Sequence, residues 1–72
     1  MRIRVSGFPP ITSKEEIKRI FSALGTVIDV QKRPGKSVAY VTMPYDYQAM
    51  KALFALNGSK ILGRRIVVEE DC

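Results

Sequence analysis

Polar and apolar residues alternate along residues 2–6, where Arg alternates with Ile and Val. A period of two is typical of a β-strand that has one buried face and one face exposed to water. Ile3 and Val5 are therefore expected to point into a core. The exposed face of this strand is predicted to carry Arg2, Arg4 and Ser6.

Three later stretches have the same strand-like character. Residues 27–33 are rich in β-branched side chains, residues 36–43 alternate again, and Pro34-Gly35 between them is a strong turn pair. The two stretches are therefore predicted to form a hairpin with a very short turn. A last strand is predicted over residues 61–69.

The stretch after the first strand repeats apolar residues at the spacing of an amphipathic helix. Thr12 and Glu15 have the spacing of a capping box, so Thr12 is predicted to start this helix. Gly25 is predicted to end it in a left-handed conformation. The apolar residues of the helix are Ile17, Ile20, Phe21 and Leu24.

A second helix is predicted to begin at Asp46, an acidic residue that is favourable near a helix N-terminus. Asn57-Gly58 is predicted to end it. The inward residues of this helix recur at i, i+3, i+4 and i+7, and they are Ala49, Ala52, Leu53 and Leu56.

The resulting order is strand, helix, strand, strand, helix, strand, in a chain of 72 residues that has room for one modest core. This order predicts an α+β fold, a βαββαβ ferredoxin-like sandwich. In it, two helices cover one face of a four-stranded antiparallel sheet. The other face stays open as a platform for binding. Residues 1–72 are expected to form a single domain.

The charge and the rare residues narrow the possible functions. A net charge of +5 favours a polyanionic partner, and nucleic acid is the commonest such partner of a small basic domain. Cys72 is the only cysteine, so no internal disulfide forms and a reducing intracellular location, cytoplasmic or nuclear, is expected. The sequence has no histidine, and no metal site, cofactor or catalytic residue is predicted. No apolar run approaches the ~20 residues that span a bilayer, so no membrane partner is expected.

Two segments resemble the signature motifs of the RNA recognition motif family. The family hexamer is matched by Ile3-Arg4-Val5-Ser6-Gly7-Phe8, and the octamer by Lys36-Ser37-Val38-Ala39-Tyr40-Val41-Thr42-Met43. The second helix with Asn57-Gly58 after it, and Gly63-Arg64 before the last strand, are also similar to the family's pattern. Four separated matches in the right order cover nearly the whole chain and form a strong fold signal.

The resemblance implies that single-stranded RNA lies across the open sheet, with bases stacked on outward side chains and phosphates held by Lys or Arg. Lys36 matches the basic first position of the octamer, and Tyr40 matches its outward aromatic fifth position. Arg4 and Val38 stand where the family usually has further aromatic rings, although a guanidinium plane also stacks on bases. The RNA-binding residues implied in this way are Arg2, Arg4, Ser6, Gln31, Arg33, Lys36, Val38, Tyr40, Arg65 and Val67.

Because two of the three stacking rings are missing, RNA binding is expected to have modest affinity and limited sequence specificity. Charge contacts then supply a larger share of the affinity and make it sensitive to salt. The last strand ends in Glu69, Glu70 and Asp71, whose negative charge is expected to repel a phosphate at that corner of the sheet.

An alternative function is protein interaction on the same fold. Tyr47, Met50 and Phe54 recur at i, i+3 and i+7 on the second helix, offset from its inward residues. An exposed apolar stripe of this kind usually marks a surface for a protein partner. The same residues would otherwise pack against the loop before the last strand, and the sequence leaves both interpretations open.

An enzyme is not predicted, although small βαββαβ folds include acylphosphatases and metal carriers. The first loop, residues 7–12, has neither the paired cysteines of a metal carrier nor the Arg of an acylphosphatase. The expected partner is single-stranded RNA, with a protein as the alternative, and the domain is expected to be a monomer.

Overall fold

A four-stranded antiparallel sheet organises the structure, a computed structural model that describes residues 1–71. The strands of this sheet are β1 (Arg2–Ser6), β2 (Asp29–Lys32), β3 (Val38–Thr42) and β6 (Val67–Asp71), and they lie side by side in the order β2-β3-β1-β6. A separate short ribbon consists of β4 (Lys60–Ile61) and β5 (Arg64–Arg65), and the helices are α1 (Lys14–Ser22) and α2 (Asp46–Leu56). The predicted α+β fold, with its βαββαβ order, is confirmed.

The core lies between the two helices and one face of the sheet. On the sheet side, Ile3, Val5 and Val41 are fully buried, as the alternation in the sequence predicts. The helices contribute the fully buried side chains of Ile17, Phe21, Ala49 and Ala52. Since both helices pack on this face, the side chains that alternate with the core residues form the open face of the sheet. Burial of the apolar face is the main stabilising term for such a small fold.

The start of α1 differs from the prediction by one residue. Ser13 is the N-cap, and its hydroxyl accepts a hydrogen bond from the backbone N–H of Glu16 at 3.2 Å. Thr12 instead closes a turn in which its own N–H donates to the carbonyl of Pro9 at 2.9 Å. The side chain of Thr12 is buried, and its hydroxyl has no hydrogen-bond partner within residues 1–71. The prediction of Thr12 as the cap was therefore wrong.

Gly25 has a different role from the one predicted. Helix α1 already ends at Ser22, and Gly25 does not adopt a left-handed conformation. A Cβ atom on Gly25 would lie 2.8 Å from Cβ of Gln48 and 2.9 Å from Cε of Met43. Glycine at this position therefore permits close packing of α2 against the loop after α1.

The predicted last strand, residues 61–69, is divided in the structure. Strands β4 and β5 form a tight hairpin outside the four-stranded sheet, and Ile66 separates β5 from β6. At the tip of this hairpin Leu62 has a φ of 50°, a left-handed conformation that is uncommon for a residue other than glycine. Two-residue turns of this kind normally use Asn-Gly or Gly-Gly. Gly63, with a φ of 84°, fits this pattern and Leu62 does not, so the sequence carried only half of the usual turn signal.

The remaining points concern membrane-spanning helices and Cys72. Within residues 1–71, no helix is long and apolar enough to cross a membrane. Cys72, whose lone thiol led to the expectation of a reducing location, lies outside the described residues.

Candidate nucleic-acid interface

The strand register arranges the outward side chains of the open face in rows that run across the sheet. The middle row contains one residue from each strand, and from β2 to β6 these are Gln31, Tyr40, Arg4 and Glu69. One neighbouring row contains Asp29, Thr42, Arg2 and Asp71, and the other contains Val38, Ser6 and Val67. The register therefore brings an aromatic ring, an amide and two guanidinium groups onto one continuous surface.

Tyr40 lies in the middle of this surface on β3 and is half-buried. The Cζ atom of Arg2 lies 4.4 Å from the centre of the Tyr40 ring, which is within the range of a cation–π interaction. Arg4 on β1 is the neighbour of Tyr40 in the same row. A base that reaches the ring therefore also meets guanidinium groups, which stack on bases themselves.

Two carboxylates of β6 hold the arginines of β1. The Nη1 atom of Arg4 lies 2.7 Å from Oε1 of Glu69, and the Nε atom of Arg2 lies 3.1 Å from Oδ2 of Asp71. The hydrogen bond to Glu69 raises the pKa of the Arg4 guanidinium above its ordinary value. The charge of Arg4 is therefore directed toward β6.

A shallow groove of about 490 Å³ runs along the open face on the β2–β3 side. It is lined by Arg2, Arg4, Gln31, Lys32, Arg33, Lys36, Ser37, Val38 and Tyr40. The cations at the β2–β3 end of the groove differ from the arginines of β1 in their ion pairing. Within residues 1–71, neither Lys32, Arg33 nor Lys36 forms an ion pair with a carboxylate. This end of the groove therefore offers positive charge to a ligand.

The connection that carries these cations has five residues, 33–37, where the sequence predicts the two-residue turn Pro34-Gly35. The backbone N–H of Lys36 donates to the carbonyl of Arg33 at 3.2 Å, which closes the turn between β2 and β3. Arg33 and Lys36 are both exposed there. A turn of this length presents charge at the edge of the groove but covers little of a bound strand.

Comparison with known proteins identifies the fold family. The profile of the RNA recognition motif family matches residues 3–67. The chain belongs to the RNA recognition motif family. RNA binding is the general function that this membership supports.

The chain also resembles particular members and solved structures. Over 61 residues it is 38% identical to Protein MEI2-like 2 from Oryza sativa subsp. japonica, an alignment that covers 83% of this chain and 7% of that protein. The RRM domain of S. pombe Puf1 is 26% identical with a TM-score of 0.89, and the alignment covers 100% of this chain and 99% of that one. The C. elegans NONO-1 homodimer structure is 27% identical with a TM-score of 0.91, and the alignment covers 99% of this chain and 28% of that one.

Most of the residues implied by the resemblance to the RNA recognition motif lie together. Arg2, Arg4, Gln31, Arg33, Lys36, Val38 and Tyr40 all line the groove. Ser6 and Val67 face each other in the row that also contains Val38, next to the groove. Arg65 is in a different place, because β5 is outside the four-stranded sheet and its Nη1 atom donates to the carbonyl of Gly58 at 2.9 Å.

Lys32 is a groove residue that the sequence did not indicate. It pairs with the buried Ala39, so strand alternation alone would assign it to the covered face. Lys32 is the last residue of β2, and its amine donates to the carbonyl of Pro10 at 3.2 Å. Its amine also donates to the carbonyl of Arg33 at 3.4 Å and lies 5.8 Å from the centre of the Phe8 ring, so the charged group is held by the loop after β1 and the turn after β2.

The apolar stripe of α2 is exposed at both of its ends. Tyr47 is 72% exposed and Phe54 is 74% exposed, so neither packs against the loop before the last strand. Met50 between them is half-buried. The Tyr47 ring lies 6.3 Å from that of Tyr45, which is also exposed. The RNA recognition motif domain therefore has a second surface with aromatic side chains, separate from the groove.

Proposed function

We propose that residues 1–72 form one domain that binds short single-stranded RNA on the open face of the sheet. The observation that carries this proposal is the groove in which Tyr40 lies beside Arg4. The same groove is lined by Arg33 and Lys36, which form no ion pair within residues 1–71. Stacking on an aromatic side chain and charge contact with phosphate are the two elements of single-strand recognition.

Each part of the groove has a separate task in this proposal. Tyr40 stacks one base, which is worth roughly 1–3 kcal/mol. Arg33 and Lys36 hold phosphates, while Gln31 and Ser6 hydrogen-bond base edges. Val38 and Val67 offer apolar contact only. With one stacking ring and a short turn, affinity is modest and specificity extends over few nucleotides.

The remaining properties follow from this mode of binding. We propose an intracellular domain that acts as a binding module rather than an enzyme and needs no cofactor. It binds RNA as a monomer, since the groove is built from the strands of one chain. Arg65 contributes only through its charge, because its guanidinium is already on the carbonyl of Gly58.

The salt dependence of binding tests the proposed phosphate contacts. Each phosphate contact on a single strand contributes about 0.7 to the slope of log K against log salt concentration. The Lys36→Gln variant is expected to lower affinity at low salt and to reduce this slope by about 0.7, in fluorescence-anisotropy titrations with a short labelled RNA. Lys51→Gln is the matched control, because Lys51 is an exposed lysine on α2. Equal slopes for the two variants would contradict a phosphate contact at Lys36.

A second candidate function is protein binding through the aromatic surface of α2. The exposure of Tyr47 and Phe54 favours it, because large apolar side chains that are exposed together often mark a site for a protein partner. Met50 adds an adaptable apolar contact between them. If no RNA binds to the groove, this surface becomes the leading candidate for the domain's function.

A further inference from the structure

The open face is electrically divided between its two edges. On the β6 side, the two arginines of β1 are in ion pairs with Glu69 and Asp71. On the β2–β3 side, Arg33 and Lys36 have no such partner within residues 1–71. The four cations line the groove, and the two carboxylates are the neighbours of the arginines in the rows of the open face. Asp29 on β2 is an exposed carboxylate, but it lies at the end of the strand away from Arg33. Near the turn between β2 and β3, an RNA strand therefore meets cations that have no ion-pair partner within residues 1–71, whereas on the β6 side it meets paired cations.

The carboxylates of β6 occupy the positions at which phosphate oxygens would bind the arginines. Carboxylate and phosphate oxygens accept the same charge-assisted hydrogen bonds from a guanidinium group. A phosphate that approaches Arg4 must displace Glu69, which holds it at 2.7 Å, or be repelled by that carboxylate. The same holds for Arg2 and Asp71 at 3.1 Å.

Strand geometry separates these two carboxylates from the acidic residue between them. Glu70 pairs with the buried Ile3, so alternation directs it away from the open face. No ion pair is formed by Glu70 within the part of the chain that the structure describes. The acidic end of β6 therefore acts on the open face through alternate residues, and this is a property of their positions and not of net charge.

We propose that Glu69 and Asp71 are intramolecular competitors of RNA phosphate that confine the RNA backbone to the β2–β3 side of the sheet. This inference rests on the proposed RNA-binding function. In the native domain, Arg4 and Arg2 support Tyr40 as part of the stacking surface but make no phosphate contact. Removing the competing charge opens the β6 side to a longer stretch of backbone.

The matched pair of variants Glu69→Gln and Glu70→Gln tests this inference. Both remove one negative charge from the same strand, but only Glu69 holds an arginine on the open face. Binding of a short single-stranded RNA is expected to become about tenfold tighter in Glu69→Gln, since one freed guanidinium gains a charge-assisted contact. The slope of log K against log salt concentration is expected to steepen by about 0.7. Glu70→Gln is expected to change affinity by less than about twofold, because it alters only net charge at a distance.

Asp71→Asn provides the second measurement, because it frees Arg2 in the same way without touching the Arg4 pair. Amide spectra of all three variants report whether the fold is retained. If RNA binds but Glu69→Gln and Asp71→Asn match Glu70→Gln in affinity and slope, the inference is overturned and the proposed function stands. If neither the native domain nor any variant binds RNA at low salt, the proposed function fails and the inference fails with it.

Discussion

The Tyr40→Ala variant is expected to bind a short single-stranded RNA about 5- to 150-fold more weakly than the native domain, which corresponds to the roughly 1–3 kcal/mol of one stacked base. Tyr40 is the aromatic side chain in the middle row of the open face, and Arg2 lies 4.4 Å from its ring centre. Its loss removes both the stacking surface and the group that positions Arg2. Fluorescence-anisotropy titration at low salt measures the change.

Two further variants make this prediction specific. Tyr40→Phe keeps the ring and is expected to retain most of the affinity, because stacking does not need the hydroxyl group. Tyr47→Ala removes an aromatic side chain that is 72% exposed on α2 and is expected to leave RNA binding unchanged. Unchanged affinity in Tyr40→Ala, or a larger loss in Tyr47→Ala, would show that the open face does not stack a base.

The Phe21→Ala variant is expected to lose a large part of the stability of the domain. Phe21 is fully buried in the core between α1 and the sheet. Truncation of a buried Phe costs about 3–5 kcal/mol, because the lost transfer free energy adds to the cost of the cavity. The free energy of unfolding of a 72-residue domain is about 4–11 kcal/mol in total. Denaturant unfolding followed by circular dichroism measures the difference.

Phe54→Ala is the control for this substitution, since the same side chain is 74% exposed there. It is expected to change the free energy of unfolding by no more than about 0.5 kcal/mol. A similar loss in both variants would mean that Phe54 is covered, which would contradict the exposed surface of α2. Little loss in Phe21→Ala would contradict the position of the core.

The parts of the fold that local periodicity controls were predictable from the sequence. Ile3 and Val5 alternate with polar residues and are buried, and α2 spans Asp46–Leu56 as the spacing of its inward residues predicts. The wrong predictions concern which of several nearby residues caps a helix or forms a turn, and periodicity does not decide this. Thr12 and Ser13 are both good caps, and the turn from Pro9 decides in favour of Ser13. The hairpin at Leu62 uses a residue with little tendency to turn.

Of the candidate site, the sequence predicted only which strand residues face the same side of the sheet, because side chains alternate along a strand. Parity and the resemblance to the family placed Tyr40, Arg4 and Lys36 on one face, and these residues line one groove. The pairs Arg4–Glu69 and Arg2–Asp71 depend on which strands are neighbours and on their register, and both partners are far apart in the chain. The sequence indicated only that the acidic end would repel phosphate, and the pairing with arginine required the structure.

The most direct test of the account is an amide-shift titration of isotope-labelled domain with short single-stranded RNAs at low and moderate salt. The account predicts the largest shifts on β3 and β2 and in the turn between them, near Tyr40, Gln31 and Lys36, with smaller shifts in β6. These shifts should weaken at moderate salt. An absence of shifts with any RNA at low salt, or shifts confined to α2, would contradict RNA binding on the open face.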